Sequence, residues 1–304
     1  MLYIQHMVFK TMEITKDTFE TIGTQGSYFT TKDGSQVYYY NQGKGEIPIL
    51  FLHTLRTQAE FHYKLLPSFT DAYNCYVLDW PGHGRSTHDP EIEYTADYMI
   101  SQIIEFIEAN DLTNIILVGE SIGGTGALSI AAQIPERVRS VYSSNPYDEG
   151  LVIGKPIGRI ISWLGQYIKE VGKDEIKPLT KFLVGGGFYD KSQFDKRFLD
   201  LISSNASNSK TFGIAFNSFL RNQKSWHNIR KRDYAKIPSH IPVTLRYSNQ
   251  DWSSKSIRKE NEKGILGKLT VIHENKIGHF SFLEKPSSII NIIKQGEAQI
   301  QSNS

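Results

Sequence analysis

The sequence predicts an α/β fold, a doubly wound and mostly parallel sheet interrupted by an inserted helical segment. Three observations lead there. Short continuous apolar runs alternate with segments of helical spacing, as strands buried on both faces alternate with their crossover helices. That rhythm stops near residue 147 and resumes near residue 239. Finally, a serine sits among glycines in Gly119-Glu120-Ser121-Ile122-Gly123, where an apolar run ends and a helical segment begins.

Taken in order, residues 18–45 read as strands broken by turn signals, with Lys32-Asp33-Gly34 a hairpin turn. IPILFLHT (47–54) is a buried strand, and a helix-like segment follows over 57–67. NCYVLDW (74–80) is a second buried strand that runs into the glycine-rich turn PGHGRS (81–86). Over 95–110 the spacing of Met99, Ile103, Ile104 and Ile107 predicts a helix. The strand NIILVG (114–119) leads into Ser121, and the helix after it is stopped by Pro135. VRSVYSSN (138–145) is the next strand. Residues 148–238 then read as mostly helical, with apolar segments at 158–171, 191–203 and 211–223. VTLRYSN, a charged helix-like stretch, LTVIHEN and a helical tail from residue 286 complete the sheet and close the chain. The expected division is a core of 1–147 and 239–304 and an inserted cap of 148–238.

Composition narrows the function. The chain has 304 residues, 39% hydrophobic and 22% charged, which suits a buried core. A net charge of +2 is too balanced for nucleic acid or an anionic membrane to be the main partner. Its single cysteine, Cys75, excludes an intrachain disulfide or a cysteine metal site. No signal peptide is read at the N-terminus, and no run approaches the ~18 apolar residues of a membrane span. The expectation is a soluble, cytoplasmic monomer or homodimer that acts on a small molecule, with no cofactor and no metal.

Ser121 falls at a strand end, where open parallel sheets place their sites. Glycines at 119 and 123 permit a sharp turn that exposes the hydroxyl, and the following helix aims its free N–H groups at any charge forming there. A serine hydroxyl is a weak nucleophile and needs an oriented histidine. His279, in NKIGHFSFLEKP just after the last strand, is the best placed; the others are His6, His53, His62, His83, His88, His227, His240 and His273. His273 lies inside a strand and reads as structural, while His83 and His88 flank a turn and read as solvated loop residues. The carboxylate that holds the base is Asp251, after the penultimate strand; Asp148 is the alternative, at the entry to the insertion.

The order Ser, Asp, His at three strand ends belongs to one fold. The chain resembles the α/β-hydrolase superfamily, in its form with a helical cap, from about residue 30 to 294. FLHT resembles the oxyanion loop, DWPGHGRS the D-x-x-G-x-G-x-S turn, GESIGG the nucleophile elbow and GHFSFLEKP the histidine loop. The resemblance implies Ser121 as nucleophile, His279 as base, Asp251 as acid, and the N–H groups of Leu55 and Ile122 as the oxyanion hole. Asp79, Arg85 and Ser86 are expected to scaffold their turn. One departure is clear: the family usually has His-Gly where this chain has His53-Thr54, and the Thr54 hydroxyl has two readings, a donor to the oxyanion or, as expected, a bond to its own loop. Thr54, Arg56, Glu120, Trp252 and Phe280, beside these motifs, are the candidate substrate contacts. Arg56 has two readings, a solvated surface head or a fork for a substrate carboxylate. Trp163 and Trp226 belong to the cap, as its core or as pocket wall.

Such a set is built for acyl transfer, and the expected reaction is hydrolysis of a small-to-medium carboxylic ester or thioester through an acyl-enzyme. Serine at the elbow argues against dehalogenase and epoxide-hydrolase chemistry, which use aspartate there. Two other activities use the same triad: carbon–carbon bond hydrolysis, whose enzymes typically carry Trp where this chain has Phe280, and cofactor-free haloperoxidase-like perhydrolysis. A third possibility is a small-molecule receptor on the same fold.

Overall fold

The computed structural model describes residues 16–147, 185–208, 215, 218, 219, 221–251, 253 and 255–302. Eight strands form one sheet in the order β1-β2-β4-β3-β5-β6-β7-β8. They are β1 (Ser27–Thr30), β2 (Gln36–Gly43), β3 (Pro48–Leu52), β4 (Asn74–Leu78), β5 (Ile115–Glu120), β6 (Val138–Ser144), β7 (Val243–Ser248) and β8 (Leu269–Glu274). β2 pairs antiparallel with both β1 and β4, and every other pairing is parallel. The expected hairpin is present, with Gly34 at φ 85° in its turn.

Helix α1 is Lys16–Thr24, α2 Ala96–Ala109, α3 Ile122–Gln133, α4 Lys196–Asn208, α5 Gln223–Asp233, α6 Lys255–Gly264, α7 Ser281–Glu284 and α8 Pro286–Ser302. Side chains on β3 alternate between two cores, as a pleated strand requires. Leu50 and Leu52 face α2 and α3, with Met99, Ile103, Phe106 and Trp226. Ile49 and Phe51 face the opposite layer, with Phe69, Phe282, Ile289 and Ile293. All six residues of β5 are buried, which is why this strand reads as apolar without alternation.

Two local expectations differ from the structure. The start of the 18–45 stretch is helix rather than strand. Its Phe19 ring meets Tyr63 at 5.2 Å and Ile22 is buried, three positions apart on one helical face. Tertiary packing there outweighs the β-leaning threonines. Over 57–67 the chain forms two short 3-10 turns, Ala59–His62 and Leu66–Ser68. The Ala59 N–H is taken by Asp79 Oδ1 at 2.6 Å, and Pro67 has no N–H to extend an α-helix.

The described part of the expected insertion holds α4, α5 and short 3-10 turns. α5 lies against the core: Trp226 meets Trp80 edge-on at 6.1 Å, and Ser225 Oγ accepts the Ala96 N–H at 2.8 Å. Residues 148–184, with Asp148 and Trp163, lie outside the described residues, as does Trp252. Among the described residues no helix is long and apolar enough to cross a membrane.

One buried histidine stands apart from the site. His62 is fully buried among Phe51, Phe61 and Phe282, and neither ring nitrogen has a hydrogen-bond partner. Burial lowers its pKa from 6.5 to about 3. The folded state therefore binds its proton more weakly than the unfolded chain, and stability is lost as pH falls below 6.5 toward 3. His62→Phe removes that liability and two unsatisfied polar atoms. In urea unfolding, its stability relative to wild type is expected to improve by roughly 2 kcal/mol between pH 7 and pH 5. An unchanged difference across that range would contradict the buried neutral state.

Candidate active site

The site is assembled where β3, β5, β7 and β8 end. Ser121 joins β5 to α3 at φ 58° and ψ −121°, a conformation that costs on the order of 1–3 kcal/mol for a residue with a side chain. Its neighbours explain why it is held there. A Cβ on Gly119 would overlap the Gly123 backbone, and one on Gly123 would overlap the Leu52 carbonyl. Helix α3 can thus sit against β3 and β5 only with glycine at both positions. Ser121 N–H donates to Ser144 O at 3.0 Å, and Ser121 O accepts from Thr125 N–H and Tyr147 N–H, both at 3.0 Å.

His279 and Asp251 meet, with Nδ1 of His279 2.6 Å from Oδ1 of Asp251. The pair is buried, at 4% and 0% side-chain exposure. Oδ2 of Asp251 accepts the Ser253 N–H at 3.2 Å and is also bonded by the Ser253 hydroxyl. Burial raises the Asp251 pKa, but the His279 charge and these hydrogen bonds outweigh it and bring the group to about 2. Burial lowers the His279 pKa, while Asp251 and then Glu120 raise it, and the net shift is upward from 6.5. An ionised Asp251 places the proton on Nδ1 and leaves Nε2 to act as a base.

The backbone around His279 is clamped by three elements. Its N–H donates to Gly187 O at 2.6 Å, and its carbonyl accepts from Asn145 Nδ2 at 3.0 Å. Glu284 then gathers the Gly278 N–H at 2.7 Å, the Asp190 N–H at 2.7 Å and the Tyr189 N–H at 3.3 Å. Segment 187–190 is thereby joined to the histidine loop. The roles of Gly187, Asn145 and Glu284 were not read from the sequence, because each depends on bonds to backbone groups distant in the chain.

The loop after β3 is pinned by His53, which is fully buried. Its Nε2 accepts the Trp80 N–H at 3.0 Å and its carbonyl accepts from Trp80 Nε1 at 2.9 Å. That leaves the His53 proton on Nδ1, 2.8 Å from Thr54 O. Thr54 does not tie the loop through its hydroxyl as expected. Its carbonyl does so, accepting from the Thr57 hydroxyl at 2.7 Å, and the Thr54 hydroxyl has no hydrogen bond among the described residues. The bend falls at Arg56, at φ 63°. Arg56 is half-buried rather than solvated, and burial lowers its pKa from the usual value. Among the described residues, neither the half-buried Leu55 nor Ile122 donates its N–H to another backbone carbonyl.

The turn after β4 is scaffolding. Asp79 accepts from Ala59 N–H and from Arg85 N–H at 2.7 Å, and Arg85 forks onto Glu60 at 2.5 and 3.1 Å. Ser86 Oγ donates to Asp79 O at 2.8 Å and accepts from Tyr38 N–H at 2.9 Å, while Gly82 and Gly84 have φ of 76° and 55°. His83 is buried rather than solvated; burial lowers its pKa to about 4.

Two further candidate contacts are buried. Glu120 is fully buried and bonds Ser281 behind the histidine loop. Phe280 is 5% exposed and packs on Phe61 and Phe188, with its ring 5.4 Å from that of His279.

The packing of α3 yields a direct test. Gly123→Ala is expected to cost about 1–3 kcal/mol in unfolding free energy, because backbone must move to admit the methyl. Gly185→Ala, whose Cβ would meet nothing within 4 Å, is expected to stay within about 0.5 kcal/mol of wild type. Equal stability of the two variants would refute the close approach at the elbow.

Comparisons with known proteins agree with this fold. A family model for the alpha/beta hydrolase fold matches residues 47–286. Over 268 residues the chain is 26% identical to a Haemophilus influenzae protein named "Putative esterase/lipase", covering 85% of this chain and 86% of that one. It is 27% identical over 173 residues to the dihydrolipoyllysine-residue acetyltransferase component of the acetoin cleaving system of Cupriavidus necator. That match covers 57% of this chain but spans less than half, 43%, of the Cupriavidus protein. Among solved structures, an alpha/beta hydrolase fold protein from Burkholderia ambifaria superposes with a TM-score of 0.75 at 14% identity, over 88% of this chain and 96% of that one. The chain belongs to the α/β-hydrolase fold family of enzymes.

Proposed function

We propose that the protein is a serine hydrolase of small-to-medium carboxylic esters or thioesters, working through an acyl-enzyme. Two observations carry the proposal: the buried His279–Asp251 bond of 2.6 Å and a serine held on a strained strand–helix turn at the end of β5. Ser121 Oγ attacks the substrate carbonyl as His279 Nε2 takes its proton, and Asp251 keeps the ring in the tautomer that leaves Nε2 unprotonated. The negative charge on the carbonyl oxygen is met by the N–H groups of Leu55 and Ile122, the latter at the positive end of α3. His279 returns the proton to the departing alcohol or thiol. Water, deprotonated by the same nitrogen, then releases the acid and restores the serine. The Haemophilus relative's name supports ester chemistry.

The test is a screen of p-nitrophenyl esters of graded chain length beside acyl-CoA thioesters and a vinylogous 1,5-diketone. Turnover of an ester or thioester is expected, with covalent labelling of Ser121 by a fluorophosphonate. Ser121→Ala and Asp251→Asn are each expected to lose about 10³-fold or more in kcat with the fold intact. Only neutral His279 can accept the proton, so kcat/KM is expected to fall as pH drops through a value above 6.5. Faster cleavage of the diketone than of every ester, or tight ligand binding with neither turnover nor labelling, would overturn the reading.

A further inference from the structure

Glu120 immediately precedes the nucleophile, and the reaction as described gives it no role. Its side chain is fully buried. Oε1 accepts the Ser281 N–H at 2.9 Å and bonds the Ser281 hydroxyl, while Oε2 is buried with no hydrogen-bond partner. Ser281 lies two residues beyond His279, and its N–H also reaches the His279 carbonyl at 3.0 Å. Phe280, between them at φ −85° and ψ 62°, is the centre of an inverse γ-turn. Glu120, the residue before Ser121, therefore grips the turn that carries His279.

The grip belongs to a polar chain that begins at an obligate donor. Arg246 can only donate, and its Nη1 lies 2.6 Å from Ser248 Oγ and 3.4 Å from Ser144 Oγ. Ser144 Oγ is 2.9 Å from Ser281 Oγ. A Ser144 hydroxyl that accepts from Arg246 has its proton for Ser281, and Ser281 has its own for Glu120. The last member must then be an acceptor, which favours ionised Glu120. Burial favours the neutral form instead. Burial is the larger effect, and His279, Ser281 and Arg246 offset it only in part, leaving the group at about 7. The charged or titratable groups around Glu120 are thus His279 and Arg246, with Asp251 beyond the imidazole and Glu274 beyond the guanidinium.

We propose that Glu120 is a positioning residue that registers the histidine loop against the nucleophile elbow and supplies a second negative charge behind the His279 ring. This rests on the serine-hydrolase reading above. Its two contributions are separable. The link sets where Nε2 stands relative to Ser121 Oγ. The charge stabilises the imidazolium and shifts the acid limb of the rate upward, the two groups titrating as a pair.

The experiment measures kcat, KM and the pH profile for wild type, Glu120→Gln, Glu120→Ala and Ser281→Ala. The rate of fluorophosphonate labelling of Ser121 is followed against pH in the same proteins. Glu120→Gln keeps an acceptor for Ser281 and loses the charge. Its acid limb is expected to move to lower pH by about half a unit or more, with kcat at its plateau within about threefold of wild type. Glu120→Ala loses the link as well, and its plateau kcat is expected to fall about 10- to 100-fold with KM nearly unchanged. Ser281→Ala is the second variant should a Glu120 substitution fail to fold. It removes the hydroxyl donor, which raises the Glu120 pKa and neutralises the carboxyl over more of the range. Its limb is expected to move in the same direction, with a lower kcat. An acid limb that stays at the wild-type pH in Glu120→Gln or Ser281→Ala, or a wild-type kcat in Glu120→Ala, overturns the role of Glu120. Failure of the wild-type protein to label at Ser121 overturns the hydrolase reading instead, so the two failures are distinct.

Discussion

The close approach of α3 to the sheet is the constraint on which the rest depends. Leu52 O and the backbone at Gly119 lie so near Gly123 that no Cβ fits between them. The turn from β5 into α3 is consequently sharp, and Ser121 is driven to φ 58°. The strain is confined to one residue and offset by the burial of β5 on both faces and of nearly the whole of α3. The same geometry places the first N–H groups of α3 beside the serine, so the packing that strains Ser121 also supplies the positive end of a helix to it.

Around that point the structure sets charge against burial. Asp251 and Glu120 are both removed from water, yet their outcomes diverge because their partners differ. Asp251 has an imidazole and two donors from Ser253 and stays ionised. Glu120 bonds only Ser281 and keeps one oxygen unsatisfied, so desolvation carries it upward. His279 lies under the influence of both carboxyl groups, and its pKa rises although the ring is buried. His62 and His83 shift in the opposite direction: burial is the sole cause at His62 and the largest at His83, where His88 and Arg56 add to it.

The loops are held mainly through backbone groups. His53 ties the loop after β3 to Trp80, Asn145 ties the end of β6 to the His279 carbonyl, and Glu284 joins three N–H groups from two separated segments. Loops satisfied in this way have few orphan polar groups and little freedom to drift. Segment 187–190 is bound to the histidine loop twice, by Gly187 O, which accepts the His279 N–H, and by Glu284, which takes the Tyr189 and Asp190 N–H groups with that of Gly278, so its placement and the orientation of the loop are mechanically coupled.

What could be read from the sequence was whatever local chemistry dictates. The period of apolar residues marked β3, β5, α2 and α3, because burial on one or both faces leaves its pattern in the chain. The glycines around Ser121 and in PGHGRS marked turns that demand them. The pairing of His279 with Asp251 followed from position at strand ends. The elements that were misread, residues 18–24 and 57–67, are short and owe their conformation to distant partners, Tyr63 for one and Asp79 for the other. The same holds for the side chains whose roles changed. Thr54, Glu120 and His83 stand beside motif residues in the chain, but which way each one faces depends on what packs against it from other strands. Local sequence determined where the chemistry-bearing groups sit along the chain. Only the tertiary structure decided their hydrogen-bond partners and burial, and with them their charge, because those depend on residues brought together from far apart.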